Sequence, residues 1–158
     1  MEFINYLCLV LVSYVGLGAG MILAYIAKEE IKPGKKYFKV MQNLLLIAIT
    51  FTVIYVLGFS WIPWFIIVGA LTYILSIENH RAKAFFMYLL LSVLLWISAQ
   101  RHAKIFIALD LLPAVASLIF LTGIPTGTLL FDMKKKNIVQ ILFTNIHYVI
   151  ISAVLYFI

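Results

Sequence analysis

The chain has 158 residues, of which 65% are hydrophobic and only 11% charged, with a formal net charge of +6 at pH 7. A soluble domain carries roughly 25% charged residues, so this composition excludes an ordinary soluble enzyme or nucleic-acid-binding domain. The Lys and Arg residues fall in short gaps between long apolar runs. This pattern indicates a membrane protein, whose main binding partner is the lipid bilayer. We expect no nucleic acid partner.

Spanning segments must be helical, because lipid offers no partner for unpaired backbone groups. A span needs about 20 apolar residues, so the chain has room for about six. We predict an all-α polytopic bundle that forms a single integral membrane domain over residues 1–158. The N-terminal apolar run is too long for a signal peptide and is expected to be the first span. The predicted helices cover about residues 3–27, 40–58, 62–77, 84–99, 105–122 and 138–158.

Polar gaps separate these helices. Pro33 and Gly34 predict a turn over residues 31–36, and Pro63 predicts a tight hairpin after the second helix. Residues 78–83 and 100–104 are predicted to be the next two gaps.

Lys and Arg residues are distributed unequally between alternate gaps. Arg101 and Lys104 lie on one side of the predicted membrane and ten basic residues on the other, which places the ten in the cytoplasm and both termini outside. The three tryptophans then fall near the outer boundary, where indole rings are favoured. The ten residues are Lys28, Lys32, Lys35, Lys36, Lys39, Arg81, Lys83, Lys134, Lys135 and Lys136.

Six spans form two halves of three, an arrangement that allows an inverted 3+3 repeat of the kind found in transporters. Gly16 and Gly20 form a small-xxx-small pair on the first helix. Such a pair lets another helix approach closely. We predict that this face packs against another helix. A chain this short is also expected to assemble through it as a homo-oligomer, and a membrane-complex partner is the alternative to that oligomer.

The fifth helix contains Gly123, Pro125 and Gly127. We predict a break over residues 123–128, in which unwound backbone beside Thr126 and Thr128 lines a cavity. The alternative is that the helix ends near residue 122 and an interfacial loop follows.

Polar residues inside spans are costly and mark candidate pathways. Asp110 and Ser117 share a face of the fifth helix and are predicted to form the outer part of a transport path. The alternative for Asp110 is a headgroup-level pair with Arg101 or Lys104. On the second helix, Asn43 lies on a face that is polar toward the cytoplasm.

The sixth helix carries a polar stripe in its cytoplasmic half. Asn137, Gln140, Thr144 and His147 follow one another at spacings of 3, 4 and 3, so they share one helical face. The stripe predicts a vestibule that ends at His147, whose imidazole can carry a proton near neutral pH. The alternative is a set of hydrogen bonds between helices.

Charged residues also gather at the predicted cytoplasmic face. Carboxylates and a histidine there can bind a divalent cation, and the lysines can hold a phosphorylated headgroup. No ligand spacing identifies a metal, so the metal is left unknown and no cofactor is expected. The alternative is that these charges solvate loop ends and attract anionic lipids. The cluster comprises Glu29, Glu30, Glu78, His80, Arg81 and Lys135.

The favoured hypothesis is a small channel or transporter for an ion or small solute, with a polar path through the fifth and sixth helices, in the cell membrane. One alternative is an assembly subunit of a membrane complex. The other is a membrane-embedded enzyme that acts on a lipid or isoprenoid phosphate at the cytoplasmic face.

Overall fold

A computed structural model describes residues 2–57, 61–102, 111–131 and 138–158, which are helical apart from short connections and ends. Side chains are described for these residues except 28, 32, 56, 57, 61–64, 101 and 102. The helices are α1 (Phe3–Ile26), α2 (Lys28–Leu57), α3 (Trp61–Ser76), α4 (His80–His102), α5 (Leu111–Leu130), α6 (Ile138–Asn145) and α7 (His147–Leu155).

The predicted all-helical fold is confirmed, and five apolar stretches of the described chain are long enough to cross a membrane, which is compatible with a membrane protein. A sixth apolar stretch, Phe65–Ser76 in α3, is shorter than these five. The count of six spans and the orientation of the chain therefore stay predictions. The five long stretches are Phe3–Ile26, Pro33–Tyr55, His80–Gln100, Leu111–Leu130 and Ile138–Leu155.

The closest helix pair is α1 with α5, which pack through glycines on both helices. A Cβ atom at Gly16 would collide with the carbonyl of Phe120, and one at Gly20 would collide with the carbonyl of Ile124. Gly16 faces Phe120 and Gly20 faces Ile124, so one turn toward the C-terminus of α1 corresponds to one turn toward the C-terminus of α5. The two helices therefore run parallel. Because α5 of the same chain covers this face, the predicted role of Gly16 and Gly20 in helix packing is confirmed, whereas the predicted assembly of an oligomer through this face is wrong.

The predicted break in the fifth helix is also wrong, because α5 continues through Pro125 to Leu130. Gly123 and Gly127 instead allow contact with α1, since a Cβ atom at Gly123 would lie 2.6 Å from the backbone of Gly16. Proline removes one backbone donor but does not by itself unwind a helix that tertiary packing holds.

The first predicted gap is helical as well, since α2 begins at Lys28 and includes Pro33. Pro33 is the sixth residue of α2, so it removes one backbone hydrogen bond, the one to the Glu29 carbonyl, and the rest of the helix outweighs that loss. A helix of 30 residues is about 45 Å long. It can therefore extend beyond the hydrocarbon core and keep Lys35, Lys36 and Lys39 exposed.

Two further boundaries differ from the predictions. α4 covers His80–His102, so residues 80–83 of the predicted gap belong to its first turn. The Asn79 side chain accepts a hydrogen bond from the Arg81 amide at 3.0 Å, which stabilises this helix start.

The last predicted helix is divided into α6 and α7 by a turn at Ile146. Thr144 Oγ1 donates to the Gln140 carbonyl at 2.7 Å, and Asn145 Nδ2 donates to the Ile141 carbonyl at 2.8 Å. These side chains compete for carbonyls that the helix backbone otherwise uses. The same bonds occur inside the uninterrupted α5, so they accompany the turn without explaining it, and at the turn the Ile146 amide donates to the Phe143 carbonyl at 3.3 Å.

Candidate functional site: a buried polar layer around Lys83

Lys83 is the most unusual buried residue in the described chain. Its side chain is only 1% exposed, although it belongs to a helix long enough to span the membrane. Nζ donates a hydrogen bond to Oδ1 of Asn43 on α2 at 2.7 Å. Within the described residues, the ammonium pairs with this neutral amide and with no carboxylate.

Gln42, the residue before Asn43, extends the polar contact toward α5. Its Nε2 donates to Oγ1 of Thr126 at 2.9 Å and lies 3.6 Å from the sulfur of Met87. The Thr126 hydroxyl donates to the Thr122 carbonyl at 2.7 Å. Oε1 of Gln42 is buried and has no hydrogen-bond partner. We name Gln42, Asn43, Lys83, Met87 and Thr126 the Lys83 layer.

The electrostatic field around the Lys83 layer is positive. His80 lies within electrostatic reach of Lys35, Lys39 and Lys83, and Lys39 also acts on Lys83 directly. No carboxylate of the described residues forms an ion pair with these groups. The arrangement favours a negatively charged ligand over a cation at this end of the bundle.

A second group of buried polar side chains lies further along α4. Tyr148 Oη and Ser13 Oγ are 2.7 Å apart. Ser92 Oγ donates to the Tyr88 carbonyl of its own helix at 2.8 Å and lies 3.4 Å from the Tyr148 carbonyl. The rings of Tyr88 and Tyr148 are 5.5 Å apart, and the Tyr88 hydroxyl is buried without a hydrogen-bond partner among the described residues. We name Ser13, Tyr88, Ser92 and Tyr148 the tyrosine layer.

The predicted path residues do not form one group in the structure. Asn43 and Thr126 belong to the Lys83 layer, whereas Asp110 lies outside the described residues. Ser117 is exposed, and its hydroxyl donates to the Pro113 carbonyl of its own helix at 2.8 Å. Thr128 is buried, and its hydroxyl lies 2.8 Å from the Ile124 carbonyl of its own helix and 3.1 Å from the Gly20 carbonyl of α1, either of which can accept its hydrogen.

The stripe on the last predicted helix lies at the edge of the bundle. Gln140 and Thr144 are exposed, and Asn137 lies outside the described residues. The His147 ring is 4.4 Å from the Phe85 ring and its Nε2 is 3.2 Å from the Phe85 carbonyl. Its two ring nitrogens contact carbonyls of α4 and α6, so His147 joins these helices.

The predicted cytoplasmic cluster is only partly brought together. Glu29 and Glu30 are exposed in the first turn of α2, and Lys135 lies outside the described residues. Glu78, His80 and Arg81 line a groove. No group of three or more His, Cys, Asp or Glu side chains that could hold a metal ion occurs among the residues that the structure describes.

The groove consists of two adjoining cavities that share Arg81 and Leu130, at the start of α4 and the end of α5. The outer cavity has a volume of about 460 Å³ and also contacts Glu78, Asn79 and His80. The inner cavity has a volume of about 90 Å³ and is closed by Gln140, Ile141, Thr144 and Asn145. We name the two cavities the Arg81 groove.

Sequence reasoning missed Lys83 and Gln42 as site residues. Lys83 was assigned to a cytoplasmic loop because it follows Arg81 in a short charged segment. The available signal was helical periodicity, since Lys83 shares the spacing of the buried residues Met87, Leu91 and Leu94. A lysine on that face is buried with them.

The described part of the chain thus defines an all-helical protein with five helices compatible with membrane spans. Comparison with protein-family models, curated protein sequences and solved structures finds no match to this chain.

Proposed function

We propose that the protein is a small channel or transporter for an ion or small solute, in which the Lys83 layer forms the inner binding group. The observation that carries the proposal is the buried Lys83 ammonium, whose described partner is a neutral amide. Ionisable side chains inside membrane helices are costly, and they mark ion and substrate pathways.

The burial of Lys83 is informative because a lysine near a helix end can usually keep its ammonium group in water. A lysine near a helix end can extend its flexible chain to the interface and keep the ammonium in water. Lys83 instead directs it into the bundle toward Asn43. A mobile anion or a bound solute would supply the compensating interaction that the described side chains lack.

Buried polar groups continue along α4 beyond Lys83. Ser92 and Ser98 are 0% and 1% exposed. The fifteen residues from Lys83 to Ser98 correspond to about 22 Å along the helix axis, compared with about 30 Å for the hydrocarbon core. This distribution supports a polar route along the bundle interior, with the tyrosine layer as its middle part.

Unpaired interior groups favour transport over the assembly-subunit hypothesis. A structural subunit is expected to have fully paired polar side chains, because each buried unpaired group costs free energy. Within the part of the chain that the structure describes, Oε1 of Gln42 and the hydroxyl of Tyr88 are buried without hydrogen-bond partners. Both atoms are available to a transported species.

The proposal retains Asp110 as the outer polar residue and His147 as a proton-binding residue beside α4. It also retains the cell membrane as the location, anionic lipids as partners of the lysine-rich cytoplasmic segments, and a homo-oligomer or a membrane-complex partner. The oligomer would use a surface other than the Gly16 and Gly20 face.

The test is ion flux into proteoliposomes that contain the full chain. Proton, potassium and chloride fluxes would be measured under imposed gradients for the wild type, Lys83→Met, Asp110→Asn and His147→Ala. Lys36→Met is the matched control, because it removes one positive charge from an exposed site on α2.

Flux that is lost in Lys83→Met and kept in Lys36→Met would support the proposal. Absence of flux for all three ions from folded wild-type protein would refute the ion version. Equal flux in the wild type and Lys83→Met would refute the role of Lys83.

A further inference from the structure

The Arg81 groove contains charged and polar side chains that the proposed transport path does not use. Arg81 contacts both cavities, and within the described residues its guanidinium forms no ion pair. The planar guanidinium matches phosphate oxygens with two parallel hydrogen bonds. An arginine without a carboxylate partner at the wall of a cavity is therefore suited to a phosphate group.

The inner cavity adds neutral hydrogen-bond donors opposite Arg81. Asn145 is only 3% exposed, and its Nδ2 donates one hydrogen to the Ile141 carbonyl. The second Nδ2 hydrogen has no partner in the described chain, and the side chain lines the cavity. Gln140 contributes a further amide from the same wall.

The backbone of α4 and nearby charged side chains also favour an anion in the groove. The groove lies at the first turn of α4, where the helix dipole favours an anion. His80 contacts the groove and lies in the field of Lys35 and Lys39. Glu78 is the one carboxylate among the described lining residues, and it is exposed in the outer cavity.

Apolar residues form the remaining wall. Leu129, Leu130 and Ile141 contact the cavities and are each less than 10% exposed. A ligand with a phosphate on one side and hydrocarbon on the other would satisfy both surfaces. Glu78 can accept a hydrogen bond from a hydroxyl of the same ligand.

We propose that the Arg81 groove binds a phosphate ester, with Arg81 and Asn145 holding the phosphate and Glu78 contacting a hydroxyl of the ligand. The glycerophosphate group has this chemistry. It can come from the headgroup of an anionic lipid in the cytoplasmic leaflet or from a soluble glycerol phosphate.

The experiment measures binding to the full chain in two arms. In the first, phosphatidylglycerol is titrated into phosphatidylcholine nanodiscs that contain the protein, and retained lipid is counted by native mass spectrometry. In the second, glycerol 3-phosphate is titrated into phosphatidylcholine nanodiscs by calorimetry. Each arm compares the wild type with Arg81→Gln, Arg81→Lys and the control Lys36→Gln.

Saturable binding in the first arm would identify a lipid headgroup, and binding in the second a soluble ligand. Arg81→Gln is expected to weaken binding about tenfold or more, as expected for one charge-assisted hydrogen bond. Arg81→Lys should restore part of it, and Lys36→Gln should leave it unchanged.

The proposal is overturned if neither arm binds. It is also overturned if Arg81→Gln and Lys36→Gln weaken binding equally, because the attraction would then be a general effect of surface charge. Both arms measure binding and not flux, so their outcome is independent of the proposed transport function.

Discussion

The ammonium of Lys83 and the amide oxygen of Asn43 are 2.7 Å apart in the interior of the helix bundle. This contact holds α4 against α2 and buries the lysine side chain between them. Removing one partner of such a pair has a different effect from removing both, because a single removal leaves an uncompensated polar group.

We therefore expect Asn43→Leu to destabilise the protein by about 3 kcal/mol, because the ammonium would lose its partner. Lys83→Met should cost less, about 1 kcal/mol, since it leaves the neutral amide of Asn43 without its partner and leaves no buried charge. The measurement is unfolding in mixed detergent micelles, followed by circular dichroism. In the double variant that combines Asn43→Leu with Lys83→Met, most of the unfolding free energy lost in Asn43→Leu alone should be recovered. If the double variant is as unstable as Asn43→Leu alone, the contact does not have this role.

The glycine interface of α1 and α5 gives a second prediction. Gly16→Ala and Gly20→Ala should each cost about 2 kcal/mol or more, because the added methyl group collides with a backbone carbonyl that cannot rotate away. Gly18→Ala is the matched control on the same helix, since nothing lies within 4 Å of its added Cβ atom. Equal unfolding free energies for Gly18→Ala and Gly16→Ala would contradict the parallel packing of α1 and α5.

The tyrosine layer predicts a measurable coupling between Ser13 and Tyr148. The two hydroxyls are 2.7 Å apart in a buried site. Ser13→Ala and Tyr148→Phe should each cost about 1 kcal/mol, and the double-mutant cycle should give a coupling of about 0.6 kcal/mol, typical of hydrogen bonds between membrane helices. Ser117→Ala, which alters an exposed hydroxyl bonded to its own helix, serves as the control. A coupling indistinguishable from zero would show that the hydroxyls do not share a hydrogen bond.

The number of spans can be decided by labelling single cysteines from either side of the membrane. Cys8 would be replaced by serine, and cysteines introduced separately at Lys36, Glu78 and Ile158. Six spans predict that Lys36→Cys and Glu78→Cys react with an impermeant reagent from the cytoplasmic side, and Ile158→Cys from the outside. If α3 does not cross the membrane, the positions of Lys36 and Glu78 will react from opposite sides.

Apolar run length was sufficient to predict α1 and the class of the fold, because about 20 residues are needed to cross a bilayer whatever the tertiary packing. The predicted range of 3–27 differs from α1 by one residue. Local breaker residues were less reliable. Pro33 and Pro125 both lie inside helices, since packing along the whole helix outweighs the loss of one backbone hydrogen bond.

Among the candidate site residues, the sequence identified Asn43 and Thr126 but not their partners. The sequence predicts that Thr126 lines a break in the fifth helix, and this break does not form. Thr126 instead accepts a hydrogen bond from Gln42 on α2. The sequence predicts that the Lys83 side chain is exposed to water, because the residues beside it are polar. Its burial depends on which face of α4 meets α2, and a single helix does not contain that information.

The sequence by itself determined that this protein is all-helical, with helices long and apolar enough to cross a membrane, because hydropathy and backbone hydrogen bonding act along each segment independently of its neighbours. Only the tertiary structure decided that Gly16 and Gly20 receive α5 of the same chain and that Lys83 points at Asn43. Both outcomes depend on contacts between residues distant in the chain, which are selected by the shape and polarity of facing helix surfaces.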